Sequence, residues 1–195
     1  MKLARGSAAW ISLPLFLTAA LALVGNWYIS AVALVGSIFM LFFHRDPDRL
    51  PRGEGMIAPA DGRIIRASEG VITIFMGPSD VHVNRAPLAG VVRKTEYIKG
   101  GHFPAFLAWA SHNQQNRITL ETSDGDVELR QITGTLVREI ICYVRPGDRV
   151  ARGDRIGMIR FGSRVEVTMP KGYRLQIKMG DKVRAGETVI AVKRP

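Results

Sequence analysis

From Gly6 to Phe43 the chain carries no charged residue, and most positions are Leu, Ala, Val, Ile, Phe or Trp. One unbroken helix through this stretch would be about 57 Å long at 1.5 Å per residue. That is nearly twice the ~30 Å hydrocarbon thickness of a bilayer. Gly25-Asn26 divides the run into two apolar segments of about 17 to 19 residues, each just long enough to span or to dip in. The pattern predicts an apolar helical hairpin over residues 1–43. After Phe43 the character changes. His44-Arg45-Asp46-Pro47-Asp48-Arg49 opens a polar, proline-broken linker over residues 44–54.

From Gly55 onward the pattern is that of short strands. Arg63 to Arg66 and Val71 to Phe75 are rich in β-formers and bordered by Gly and Pro. Ile118 to Thr122 and Val127 to Arg130 alternate on either side of an Asp124-Gly125 turn, a hairpin signature. Only Ala105 to Ala110 reads as a short helix. The expectation is one mainly β domain over residues 55–195.

An internal repeat marks the C-terminal part. The run from Arg145 to Ile156, with Gly147-Asp148, Val150 and Gly153, is echoed from Lys178 to Val189 by Gly180-Asp181, Val183 and Gly186, at an offset of 33. Each unit reads as strand, Gly-Asp turn, inward Val, second Gly turn and strand. Two such units resemble the lipoyl- and biotinyl-type barrel-sandwich, which is a statement about architecture and not about chemistry.

Charge narrows the partners. Lys and Arg outnumber Asp and Glu by 27 to 17, a net charge of +10. Nucleic acid, an anionic membrane surface or an acidic substrate would each suit this surplus. The basic residues are scattered singly, without an RNA-binding aromatic signature or a helix-turn-helix pattern, so nucleic acid is set aside. Lys2 and Arg5 before the apolar run, and His44-Arg45, Arg49 and Arg52 after it, favour two cytoplasmic ends. A secretory signal peptide competes, but the second apolar segment follows too closely and no small-residue cleavage site stands out. Cys142 is the only cysteine, read as a small buried hydrophobe. The four histidines lie far apart with no HExxH pattern, so no metal site is expected.

Gly162-Ser163 is one of three Gly-Ser pairs, beside Gly6-Ser7 and Gly36-Ser37, and alone it indicates a turn or bulge. Its neighbours change that reading. Ala58-Pro59-Ala60-Asp61-Gly62, the phrase from Asp80 to Pro87, Cys142-Tyr143-Val144 and the phrase from Gly157 to Arg164 stand in order along the chain. Together they resemble the short form of the phosphatidylserine decarboxylase family, from about His44 to Val192.

The resemblance implies a proenzyme that cuts itself between Gly162 and Ser163 into a β chain, residues 1–162, and an α chain, residues 163–195. Ser163 would become a covalently bound pyruvoyl group, the cofactor that forms a Schiff base with phosphatidylserine and releases CO2 and phosphatidylethanolamine. Asp61 matches the family aspartate associated with self-cleavage. His82 is the acid/base choice for processing and decarboxylation. The longer relatives carry a second histidine where this chain has Arg85, a candidate for the substrate phosphate or carboxylate. Gly101 to Arg117 matches its family block loosely, and His102 and His112 receive no role. The resemblance also implies a phospholipid partner at the cytoplasmic face of the cell membrane, association of the two cleaved chains, and a homo-oligomer. The rival reading is a membrane-anchored adaptor or carrier domain. Lys171 between the repeats would then be the modified lysine, although its neighbours lack the acidic and small residues of a lipoylated site.

Overall fold

The computed structural model describes residues 2–68, 70–137 and 139–194. The chain divides into two compact units, Met1–Asp48 and Arg49–Pro195.

The first unit is a pair of helices, α1 (Ala8–Leu23) and α2 (Trp27–Phe43). The break falls where the sequence placed it. Gly25 takes a left-handed φ of 77°, and the amide of Asn26 reaches back to the carbonyl of Leu21, closing α1. The Asn26 side chain then caps α2 by accepting from Ile29 N. Three hydroxyls knit the helices together. Thr18 Oγ1 lies 3.2 Å from Ser37 Oγ, and Ser30 Oγ donates to the Thr18 carbonyl at 2.9 Å. Facing outward are Leu13, Phe16, Trp27, Tyr28, Val32 and Val35, all exposed. At 16 and 17 residues, the helices extend only about 25 Å each. Among the described residues no helix is long and apolar enough to cross a membrane.

The second unit is mainly β, as expected. Its strands are β1 (Met56–Ile57), β2 (Gly62–Ser68), β3 (Val71–Met76), β4 (Val83–Arg85), β5 (Gly90–Ile98), β6 (Gln115–Thr122) and β7 (Gly125–Ile132). They continue as β8 (Ile140–Cys142), β9 (Arg149–Val150), β10 (Arg155–Ile159), β11 (Ser163–Thr168), β12 (Tyr173–Leu175), β13 (Lys182–Val183) and β14 (Val189–Lys193). One antiparallel sheet runs β13-β2-β3-β11-β7-β6-β5-β9, and two small sheets run β4-β10-β8 and β1-β14-β12. Alternation sends Ile72, Ile74, Val165, Val167, Val127 and Leu129 into one core with Ile118, Ile156 and Ile190. The Asp124-Gly125 hairpin joins β6 to β7 in unbroken register from Thr122↔Gly125 to Gln115↔Ile132.

Two local expectations fail. The helix read at Ala105 to Ala110 is a short 3-10 turn at Ala108–His112 instead. Cys142 is exposed, because β8 is an edge strand whose one hydrogen-bonded neighbour is β10 and it turns alternate side chains outward.

The repeat proves to be half of a larger duplication. Gly180 N and Ile64 N exchange bonds with the carbonyls of Ile64 and Asp181, while Gly147 N and Val92 N do the same with Val92 and Asp148. Gly186 N donates to the Ala58 carbonyl, and Gly153 N donates to that of Ala86. Each repeat therefore clasps its own Ala-Pro segment, Ala58-Pro59-Ala60-Asp61-Gly62 or Ala86-Pro87-Leu88-Ala89-Gly90. The two segments also bond reciprocally, Arg85 N to the Pro59 carbonyl and Ile57 N to the Pro87 carbonyl. Asp61 and Ala89 occupy matching places in the two segments, so only one half carries the acid.

Candidate active site

Ser163 opens β11 and pairs with Met76, the last residue of β3. Its side chain turns inward and is fully buried. Ser163 Oγ donates to Met76 Sδ at 3.5 Å. A thioether is a weak acceptor, so little holds the hydroxyl proton in that direction. The same sulfur accepts from Asn84 Nδ2 at 3.8 Å. Behind Asn84 runs a buried polar chain: Gln131 Nε2 donates to Asn84 Oδ1 at 2.8 Å, and Asn116 Nδ2 donates to Gln131 Oε1 at 2.9 Å. Such chains in a low-dielectric interior fix the orientation of every member.

The backbone ahead of Ser163 is left-handed twice over. Gly162 has φ of 62° and Phe161 has φ of 55°, and Phe161 is the one non-glycine with positive φ among the described residues. For an L-residue that conformation costs roughly 1 to 2 kcal/mol. Opposite stands Gly134, where a β carbon would collide with the Gly162 carbonyl oxygen. The absence of a side chain at 134 is what lets backbone reach the carbonyl that joins Gly162 to Ser163.

His82 is buried, just ahead of β4. Its Nδ1 lies 2.9 Å from the carbonyl of Asp80. A carbonyl only accepts, so Nδ1 carries a proton, and in the neutral form of the ring the lone pair is on Nε2. The turn that brings it there starts at the end of β3. Gly77 N donates to Asp80 Oδ2 at 2.7 Å, and Asp80 N returns to the Gly77 carbonyl. Met76 and His82 thus sit at the two ends of one tight turn, and Met76 touches Ser163.

Asp61 is held from three directions. Arg49 grips both oxygens through Nη1 and Nη2, the latter at 2.9 Å. Ala185 N donates to Oδ1 at 2.7 Å and Val81 N to Oδ2 at 3.3 Å. Asp61 is therefore a fixed carboxylate one residue from His82 along the Val81 bond. Arg49, counted from the sequence among the basic flanks of the apolar run, instead turns a largely covered side chain onto Asp61. Arg85 is also buried, and its Nη1 donates to the Gly153 carbonyl at 2.9 Å. His102, His112 and Lys171 are exposed.

Of the residues singled out from sequence, the fold brings Gly162, Ser163, His82 and Asp61 around the β3–β4 turn and the start of β11. Arg49, Gly134, Asn84 and Gln131 were not foreseen there. Gln131 did leave a signal: it occupies the third inward position of a strand whose other two are Val127 and Leu129. No pattern marks Gly134 or Arg49, whose contacts are remote in sequence.

The phosphatidylserine decarboxylase family model matches residues 66–191. Over nearly its whole length the chain also resembles curated proteins. It is 41% identical to the putative archaetidylserine decarboxylase proenzyme of Methanococcoides burtonii, covering 98% of this chain and 97% of that one. To the phosphatidylserine decarboxylase proenzyme of Streptomyces avermitilis it is 42% identical, covering 97% and 93%. With the putative archaetidylserine decarboxylase proenzyme of Halobacterium salinarum it shares 43% identity over 97% and 99%. These likenesses define a carboxy-lyase. The chain belongs to the phosphatidylserine decarboxylase family.

Proposed function

We propose that this chain is a self-cleaving proenzyme that decarboxylates a serine-headgroup phospholipid through a pyruvoyl group made from Ser163. The observation that carries the reading is the left-handed pair Phe161-Gly162, directly before a buried Ser163 and with Gly134 against the Gly162 carbonyl. A strained backbone at a buried nucleophile is what an acyl shift needs.

The cut is written on this chain's own atoms. Ser163 Oγ gives up its proton to a base and attacks the Gly162 carbonyl carbon. The C–N bond breaks, the Ser163 nitrogen gains a proton, and an ester joins the two residues. Loss of the Ser163 Cα proton then expels the Gly162 carboxylate and leaves dehydroalanine. Addition of water and loss of ammonia turn residue 163 into the pyruvoyl terminus of the 163–195 chain, and residues 1–162 form its partner.

When formed, that ketone supplies an electron sink for the carboxylate-bearing carbon of a primary amine. The residues around it have separable tasks. His82 Nε2, with its lone pair set by the Nδ1 bond to Asp80, accepts and returns protons. Asp61 holds the Val81 amide and so the approach of His82. The Asn116-Gln131-Asn84 chain keeps the Met76 side of the site ordered and dry. Arg85, tied to Gly153, holds the segment between the two Ala-Pro repeats, and its guanidinium suits a phosphate or carboxylate.

The relatives named as archaetidylserine and phosphatidylserine decarboxylase proenzymes support a lipid whose reacting part is a phosphoserine headgroup. The exposed apolar side chains of α1 and α2 support attachment at a membrane, and the basic residues Lys2, Arg5, Arg45 and Arg52 flanking the uncharged run support its cytoplasmic face. The reciprocal Ala-Pro bonds and the paired repeats support a barrel-sandwich of lipoyl type. A denaturing gel and intact-mass measurement of purified protein test the proposal. Two fragments meeting at Gly162-Ser163, with a pyruvoyl mass on the smaller, are expected. Ser163→Ala should remain one chain and release no CO2 from phosphatidylserine. A wild-type chain that decarboxylates while intact would overturn the pyruvoyl reading.

A further inference from the structure

We infer that the face of the large sheet opposite Ser163 holds a second site, one that binds the phosphate of an anionic lipid headgroup. Successive residues of a strand point to opposite faces. Ser163 and Val165 turn into the core, so Arg164 and Glu166 turn away from it. The register carries the outward row across the sheet. Arg66 and Glu166 both stand opposite Thr73, Arg130 stands opposite Glu166, and Arg117 stands opposite Arg130.

The segment after β5 roofs this row. Phe106 meets Phe75 of the outward face edge-on, ring centroids 6.1 Å apart, and the Leu107 carbonyl accepts from Arg164 Nη1 at 3.0 Å. Between roof and sheet lies a cavity of about 410 Å³, lined by Arg66, Arg130, Arg164, Glu166, Phe106 and Ser111 among others. That is the size of a small-ligand site.

Charge in the cavity is unbalanced. Three guanidinium groups share one lining carboxylate, Glu166, at 2.9 Å from Arg130 and 2.8 Å from Arg164. Glu128, 3.9 Å from Arg130, still leaves the positive side ahead. The exposed Arg66 side chain makes no hydrogen bond or ion pair among the described residues, and Arg164 Nε is buried without a hydrogen-bond partner. Burial pushes the Arg164 guanidinium below its ordinary value, Glu166 opposes that, and Arg130 and Arg66 add to the depression. A ligand with several charged oxygens would match the arginine forks and relieve their repulsion.

The rim selects the source of that phosphate. Phe106 and Leu107 line the cavity beside the arginines and are exposed, and the exposed Phe103 and Trp109, whose ring centroids lie 6.4 Å apart, belong to the same segment. Exposed aromatic rings next to cationic side chains make the composition of a membrane interface. A headgroup in the cavity would set these rings against the acyl boundary. This site is additional to the Ser163 centre and does not depend on the pyruvoyl reading.

The test uses the full chain with Trp10→Phe and Trp27→Phe, leaving Trp109 as the only tryptophan. Vesicles of brominated phosphatidylcholine, with or without phosphatidylglycerol and without any serine lipid, report Trp109 insertion by quenching with no turnover. Phosphatidylglycerol should bring strong quenching that fades with added salt. Arg66→Gln, which breaks no bond, and Arg66→Gln with Arg130→Gln should weaken binding progressively, the pair by about tenfold or more. Lys94→Gln on exposed β5 should leave it unchanged, and thermal melts check that each variant is folded. Equal binding by the parent and Arg66→Gln, or an equal loss in Lys94→Gln, would sink the site in favour of general basic attraction. A Trp109 response to inorganic phosphate that vesicles do not increase would overturn the lipid assignment.

Discussion

Gly134 stands against the carbonyl oxygen of Gly162, so close that a β carbon at 134 would overlap it. The two residues are brought together by Thr133 N, which bonds to the Gln114 carbonyl beyond the end of β7, and by β11 beside that strand. Any side chain at 134 must push the Gly162 carbonyl out of its left-handed position. Gly134→Ala is therefore expected to slow or stop self-cleavage while leaving most of the fold intact. The readout is the fraction of uncut chain over time on a gel, beside a thermal melt. Wild-type cleavage in a normally folded Gly134→Ala protein would separate this contact from processing.

Arg49 and Asp61 form an ion pair with both side chains about nine-tenths buried. Removing the arginine leaves a buried carboxylate with only the Ala185 and Val81 amides. Arg49→Gln should destabilise the protein by about 3 kcal/mol or more. Arg49→Gln with Asp61→Asn should recover part of that loss, because the orphaned charge is gone. Urea unfolding of the uncleaved Ser163→Ala chain measures both without interference from processing. Purely additive losses would mean that the pair is not coupled.

The second repeat offers an internal control on glycine. Gly186 and Gly180 both have left-handed φ, 77° and 94°, but their surroundings differ. A β carbon at 186 would lie 2.6 Å from Arg85 Cδ, whereas 180 has open space. Gly180→Ala should cost about 1 kcal/mol from backbone strain alone. Gly186→Ala should cost measurably more, because buried Arg85 must also move. Equal losses in denaturant melts would show that Arg85 yields freely.

Tyr173 donates to Asp124 Oδ2 at 2.7 Å, and Lys193 Nζ donates to Oδ1 at 2.6 Å. Burial, then the bond to Asp124, pushes the Tyr173 phenol up to about 12. The hydrogen bond from Lys193, followed by that from Tyr173, lowers the Asp124 carboxyl. A raised phenol pKa means that the folded state holds its proton longer than the unfolded chain. The stability it contributes is complete below the unfolded value near 10 and is lost as pH rises toward about 12. Tyr173→Phe should remove that part of the alkaline decline, and melting temperature followed from neutral to strongly alkaline pH checks it.

Local signals and long-range ones divided cleanly in this protein. The apolar run before His44, its break at Gly25-Asn26, the Asp124-Gly125 hairpin and the Gly-Asp repeat were legible because each depends on residues close in sequence. Gly162-Ser163, Asp61 and His82 were legible as phrases resembling a family. Their arrangement was not, since the sequence holds no distance between β3, β4 and β11. Asn84 and Gln131 join a site through a register that pairing alone sets. Arg49 looked like one more basic flank until the fold closed it on Asp61. Gly134 had no pattern at all, because its meaning is a carbonyl 28 residues further along the chain. Periodicity and turn chemistry are properties of the local backbone, so the sequence by itself determined most of the elements and marked Gly162-Ser163 as the candidate pair. Close approach, burial and ion pairing arise only when distant strands pack, so the tertiary structure alone decided which residues surround Ser163 and what strains the bond before it.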